Sequence, residues 1–77
     1  SALIHEFLQC YPDPAPEKIV WWKTNFNKVS RILISTQEFS YLVVLEERNS
    51  YFLLCTAYPT WVNKVSKLKN QYQRYWE

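Results

Sequence analysis

The chain has 77 residues, of which 48% are apolar and 18% aromatic. A chain this short supports only one modest core, so we expect residues 1–77 to form a single domain. The absence of glycine excludes the glycine-rich loops that bind phosphate in nucleotide-dependent enzymes. A formal net charge of +2 does not by itself indicate a nucleic-acid partner, but residues 59–77 carry four basic side chains against one acidic one.

The chain begins at Ser1 and contains no methionine, so we expect it to be the C-terminal part of a longer protein. Cys10 and Cys55 are its two cysteines, and we predict that both are reduced thiols, with Cys55 buried in an apolar strand. One histidine and two distant cysteines do not make a zinc site, and we expect no metal or other cofactor. No apolar run reaches the roughly 18 to 20 residues of a membrane span.

The N-terminal third of the sequence predicts two helices. The first covers Ala2–Cys10, where apolar residues recur four positions apart. A proline-rich stretch interrupts it, and Asp13 then has the side chain of a helix N-cap. The second helix is expected to run to about Asn27, because Ile19, Trp22 and Phe26 recur at helical spacing.

The middle of the sequence predicts strands. Residues 29–35 are rich in β-branched side chains and favour a strand, although so short an apolar run is also compatible with a helix. Residues 39–46 and 50–58 predict a β-hairpin with its turn at Arg48 and Asn49. Asn49 is the residue of this turn best suited to a positive φ.

Pro59 should end the last strand and Thr60 should cap a final amphipathic helix. The apolar stripe of this helix comprises Trp61, Val65, Leu68, Tyr72 and Trp76. The predicted fold class is therefore α+β, with N-terminal helices packed on a small antiparallel sheet and a C-terminal amphipathic helix.

Two isolated polar residues are candidates for catalysis. His5 is the only histidine, and imidazole is the side chain best suited to proton transfer near neutral pH. A solvent-exposed helix histidine without a role fits the same pattern. Arg31 interrupts an apolar strand, from which a guanidinium can bind a phosphate by two hydrogen bonds. An edge-strand arginine in solvent is the alternative.

The end of the last strand carries two hydroxyl groups. Thr56 and Tyr58 should share one face of the strand with Phe52 and Leu54, because strand side chains alternate. Two hydroxyls there can hydrogen-bond a phosphate or a ribose. Good strand propensity alone also explains both residues.

The lysines form a third group of candidates. Lys64, Lys67 and Lys69 are the solvated face of the last helix on the simplest interpretation, and the same charges can contact an RNA backbone or an acidic partner. Lys18 and Lys23 add basic charge to the N-terminal region. All five are predicted RNA-binding residues.

The run YLVVLEERNSYFLLCTAYP, followed by a lysine-rich helix that ends in aromatics, resembles the barnase–EndoU–colicin–RelE-like ribonuclease toxins. It is most similar to toxin domains of contact-dependent growth inhibition and of phage-type systems. The resemblance covers residue 39 to about residue 72 well and the N-terminal region loosely. It implies a metal-independent ribonuclease, often directed at tRNA, that is neutralised by an immunity protein or an antitoxin.

The resemblance also implies a site on the sheet face, formed by His5, Arg31, Thr56 and Tyr58. We therefore expect an endoribonuclease toxin that cleaves RNA through the 2′-OH and acts in the cytoplasm of a bacterial target cell after delivery or secretion. Cytoplasmic action without delivery is the alternative for location. A non-catalytic RNA- or protein-binding module that uses the basic C-terminal helix is the alternative for function.

Overall fold

A computed structural model of the protein describes residues 2–77 and leaves Ser1 outside the described residues. Its elements are α1 (Ala2–Cys10), β1 (Ile19–Phe26), β2 (Val29–Thr36), β3 (Tyr41–Glu47), β4 (Phe52–Pro59) and α2 (Val62–Trp76). The α+β class is confirmed: two helices pack on one four-stranded antiparallel sheet in the order β1-β2-β3-β4. No helix within residues 2–77 is long and apolar enough to cross a bilayer.

The predicted second helix is wrong, because residues 19–26 form strand β1. The helical spacing of Ile19, Trp22 and Phe26 competes with a composition of β-branched and aromatic residues that favours a strand. The next two residues, Asn27 and Lys28, favour the strand over the helix, because their φ angles are 50° and 66°. Two consecutive left-handed residues make the tight turn that matches the twist of a β-hairpin, so β1 folds back onto β2.

A β-bulge in β4 changes which of its side chains share a face. Val44 of β3 pairs with Thr56, whereas the next residue, Leu45, pairs with Leu54, so Cys55 is left without a partner in the ladder. Directly paired residues share a face, and therefore Thr56 and Tyr58 lie on one face while Phe52 and Leu54 lie on the other. The prediction that all four share a face is wrong.

Two hydrophobic clusters lie on opposite faces of the sheet. The first, on the α1 face, contains Phe7, Ile19, Trp21, Ile32, Ile34, Val43 and Leu45. The second, on the α2 face, contains Trp22, Leu33, Phe39, Leu42, Val44 and Leu68. The alternation of side chains along β1, β2 and β3 assigns neighbouring residues to opposite clusters.

The stripe predicted for the last helix is confirmed except at its first residue. Val65, Leu68 and Tyr72 pack on the α2 face, and Trp76 reaches the α1 cluster. Its indole N–H donates to the backbone carbonyl of Trp21 at 2.6 Å, on edge strand β1. Trp61 is instead 74% exposed and occupies the N-cap position.

Three local predictions at this end of the chain are wrong. Thr60 does not cap α2; its hydroxyl donates to the carbonyl of Phe39 and ties the β2–β3 connection to the start of the helix. Asn49 is not among the described residues with positive φ. Cys55 is exposed rather than buried, because it lies on β4, an edge strand whose residues are mostly exposed, while both cysteines are free thiols as predicted.

Candidate functional site

A cleft of about 340 Å³ lies between the side of α2 and the sheet face beneath it. Its polar lining comes from β1, β2, β4 and α2 and comprises Thr24, Asn25, Arg31, Tyr58, Lys64, Lys67 and Gln71. Apolar residues of the α2 cluster form its floor. Among residues 2–77, no carboxylate lines this cleft, so three cationic side chains converge there without a matching anion.

Arg31 reaches the cleft from β2. It is paired with Thr24 on one side and Glu46 on the other, which places all three on the α2 face. Its Nε is buried and, within the described part of the chain, has no hydrogen-bond partner. Glu46 instead forms an ion pair with Arg48, and no described carboxylate lies within ion-pair distance of the Arg31 guanidinium. The guanidinium carbon lies 4.6 Å from the centroid of the Phe26 ring.

The first turns of α2 supply the other two cations. The ammonium of Lys64 lies 5.4 Å from the centroid of the Tyr58 ring, a cation–π distance, and Lys67 follows one turn later. Neither lysine has an ion-pair partner among residues 2–77. Gln71 completes this side of the cleft, where its Oε1 accepts a hydrogen bond from Trp22 Nε1 at 3.4 Å.

The same side of α2 carries a cation that the predicted site omitted. Lys64, Lys67, Gln71 and Arg74 lie at positions i, i+3, i+7 and i+10, which places them on one flank of a helix. Arg74 lines a smaller hollow that shares Thr24 and Gln71 with the main cleft. The spacing is visible in the sequence. By the same geometry Lys69 lies about 200° around the helix from Lys67, away from the cleft.

The structure does not bring His5 to the cleft. His5 is exposed on α1, and α1 packs on the opposite face of the sheet through Phe7. The His5 Nε2 lies 3.0 Å from the side-chain amide nitrogen of Gln9 on the same helix. The sheet therefore separates the only imidazole from Arg31 and Tyr58.

Lys18 and Lys23 also lie outside the main cleft, although Lys23 lines the smaller hollow beside it. Lys18 precedes β1 and forms a long ion pair of 3.9 Å with Glu6 of α1. Lys23 projects on the α1 face, where its Nζ donates to the Tyr11 hydroxyl at 2.9 Å and to Glu47 at 3.3 Å. The hydrogen bond to Tyr11 is the main cause of a raised pKa for Lys23. Its charge is thus already neutralised within the fold.

The two hydroxyl candidates have different positions. Tyr58 is half-buried and lines the cleft, paired with Leu42 on the α2 face. Thr56 points to the same face but is exposed and does not line the cleft. Of the four predicted catalytic residues, the structure brings together Arg31 and Tyr58. Of the five predicted RNA-binding residues, it brings together Lys64 and Lys67.

This arrangement can bind an anion and stabilise added negative charge. A guanidinium and two ammonium groups offer several donors to phosphate oxygens, and a phenol can donate one more hydrogen bond. No protein-family profile, curated protein or solved structure matches this chain.

Proposed function

We propose that the protein is an endoribonuclease that binds the scissile phosphate of RNA in the cleft between α2 and the sheet. The single observation that carries this proposal is the convergence of three unpaired cations and a tyrosine hydroxyl at a site without a carboxylate. Such a site suits a phosphodiester, whose negative charge increases during cleavage. RNA brings its own nucleophile, so the protein need only deprotonate the 2′-OH, stabilise the phosphorane and protonate the leaving oxygen.

The roles follow from position in the cleft. Arg31 and Lys67 hold the non-bridging oxygens of the phosphate, where charge develops. Tyr58 and Lys64, which contact each other, are the groups able to donate or accept a proton beside them. We assign no step to His5, because the sheet lies between it and the cleft.

A second candidate function is a non-catalytic RNA-binding module that uses the same cleft. The observation that favours it is the absence of any imidazole or carboxylate among the described residues that line the cleft. Those groups are the most frequent general bases. This module would bind RNA with strong salt dependence and release no fragments.

The decisive experiment incubates the protein with total RNA and with purified tRNA in EDTA, followed by a denaturing gel. We expect discrete fragments that end in a 2′,3′-cyclic phosphate. Arg31→Gln should slow their formation about 100-fold or more, as for removal of one group that stabilises a developing oxyanion. His5→Ala is the matched control on the other face and should cleave at the wild-type rate.

Bound but uncut RNA would favour the binding module over the nuclease. A large loss with His5→Ala and none with Arg31→Gln would contradict the location of the site. Thermal melts of both variants show whether a loss of activity reflects a loss of folding.

We further propose that the protein acts as a toxin toward bacteria and is neutralised by a cognate immunity protein or antitoxin. The resemblance of residues 39–72 to ribonuclease toxins supports this. Induced expression of the wild-type chain in bacteria should arrest growth, and Arg31→Gln should relieve the arrest at equal protein level. Unimpaired growth with soluble, cleavage-competent protein would contradict the toxin role without affecting the nuclease proposal.

A further inference from the structure

The cleft is one part of a longer groove along the flank of α2. A second hollow of about 250 Å³ continues from it and is lined by Lys23, Thr24, Gln71, Arg74 and Tyr75. Thr24 and Gln71 line both hollows. From Lys64 to Arg74 the helix rises by about 15 Å, so its cations can follow a backbone over a few nucleotides.

The opposite wall of the groove ends in an aromatic surface. Phe26 lines the main cleft at the end of β1, yet 54% of it is exposed. The Arg31 guanidinium lies over one face of this ring, 4.6 Å from its centroid, at the phosphate-binding end of the groove, so a base would stack on the opposite face. Burial of Phe26 in the cores does not explain its position, since it belongs to neither hydrophobic cluster.

An exposed ring beside a row of cations suits single-stranded nucleic acid. Such proteins combine a basic groove that follows the backbone with aromatic side chains on which bases stack. In a duplex each base face is already stacked on its neighbours, and the ring has nothing to bind.

Building on the proposed function, we propose that the groove selects single-stranded RNA by stacking one unpaired base on Phe26 while α2 holds the adjacent phosphates. Phe26 is thus a specificity-determining residue and not a catalytic one. Loops and unpaired ends are the parts of a folded RNA that can present such a base.

The test measures binding without cleavage. Fluorescence anisotropy uses the wild-type chain and labelled 2′-O-methyl oligonucleotides, which lack the nucleophilic hydroxyl, as a single strand, as a blunt duplex and as a hairpin with an unpaired loop. We expect the single strand and the loop to bind at least 10-fold more tightly than the duplex. Phe26→Leu should weaken single-strand binding about 5-fold or more, since stacking contributes about 1–3 kcal/mol per base.

Two further variants separate stacking from folding. Phe26→Trp retains an aromatic ring and should keep wild-type affinity. Tyr51→Leu removes an aromatic side chain that is similarly exposed, at 59%, but lies outside the groove, and it should have no effect. Thermal melts report on the folding of all three.

Equal affinity for duplex and single strand, or unchanged affinity in Phe26→Leu, would overturn this inference and leave the nuclease proposal intact if the wild type still cleaves RNA. Single-strand binding that depends on Phe26, in a protein that never cleaves, would support the inference while contradicting the nuclease. Absence of binding to every oligonucleotide would contradict both.

Discussion

The two faces of the sheet contain similar residues in different electrostatic situations. On the α1 face, Lys23 donates to Tyr11, Tyr11 donates to Glu47 at 2.8 Å, and Ser30 also donates to Glu47. On the α2 face, Arg31 lies on the neighbouring strand and has no carboxylate partner among residues 2–77. One face thus neutralises its cation internally, and the other leaves its cation open to a cleft.

Two aromatic residues of β1 show a similar difference. Trp21, on the α1 face, is 1% exposed and contacts rings of both helices, including Phe7 at 5.3 Å and Trp76 at 5.0 Å between centroids. Phe26, on the α2 face, is more than half exposed. Both faces have a buried cluster, but only the α2 face leaves a cation and an aromatic ring open to a cleft, and we propose that face as the binding face.

The largest expected effect is on stability through the α1 face. Trp21→Ala removes a fully buried indole and its hydrogen bond to the Asp13 carbonyl, and should lower the free energy of unfolding by about 3–5 kcal/mol. Trp61→Ala, at a 74% exposed position, should change it by less than about 0.5 kcal/mol. Urea denaturation followed by circular dichroism measures both, and equal losses would contradict the burial of Trp21 in the α1 cluster.

A smaller effect is expected from the ion pair on the α1 face. Glu47→Gln weakens the hydrogen bonds from Tyr11, Lys23 and Ser30, and should cost about 1–2 kcal/mol at neutral pH. Glu17→Gln makes the same change at an exposed position without a side-chain partner in the described structure, and should have little effect.

The stability of the protein should also depend on pH through the Glu47 carboxylate. The hydrogen bond from Tyr11, with smaller contributions from Ser30 and Lys23, lowers the pKa of Glu47 below its ordinary value of 4.5. The ionised Glu47 carboxylate therefore contributes its full stabilisation of the folded state above pH 4.5. This stabilisation is lost as the pH falls through the folded-state pKa of Glu47. Thermal melts between pH 6 and 3 should show a steeper loss for wild type than for Glu47→Gln, and parallel curves would contradict this.

The smallest effect concerns the flank of α2 that faces the cleft. Lys67→Ala should reduce the slope of log K against log salt for single-stranded RNA by about 0.7, the value for one phosphate contact. Lys69→Ala removes the same charge two residues away, on the other flank, and should leave the slope unchanged. Equal changes would indicate that the whole helix surface, rather than the cleft, contacts RNA.

Local patterns in the sequence were sufficient for much of the fold. Strand-favouring composition predicted β3 and β4 and favoured a strand at β2, while helical spacing predicted α1 and α2, because both signals depend only on neighbours along the chain. The same reasoning failed at residues 19–26, where helical spacing and strand composition disagree. The Asn27–Lys28 turn and the partner strand β2 decided in favour of a strand.

The membership of the site depended on contacts between distant residues. The sequence by itself identified Arg31, Tyr58, Lys64 and Lys67 as candidates, but it did not separate them from His5, Lys18, Lys23, Thr56 and Lys69. The pairing register decides which face of the sheet a strand residue occupies. A single bulge at Cys55 moves the residues on one side of it in β4 to the opposite faces. Which face a helix covers follows from where its apolar stripe packs.

The sequence therefore determined the types of side chain and their local periodicity, since both are short-range properties. Only the tertiary structure decided that Lys23 meets Glu47 while Arg31 meets an open cleft, because charge pairing depends on strand order and helix docking. The contact between Lys23 and Glu47, for example, joins residues that are 24 positions apart in the sequence.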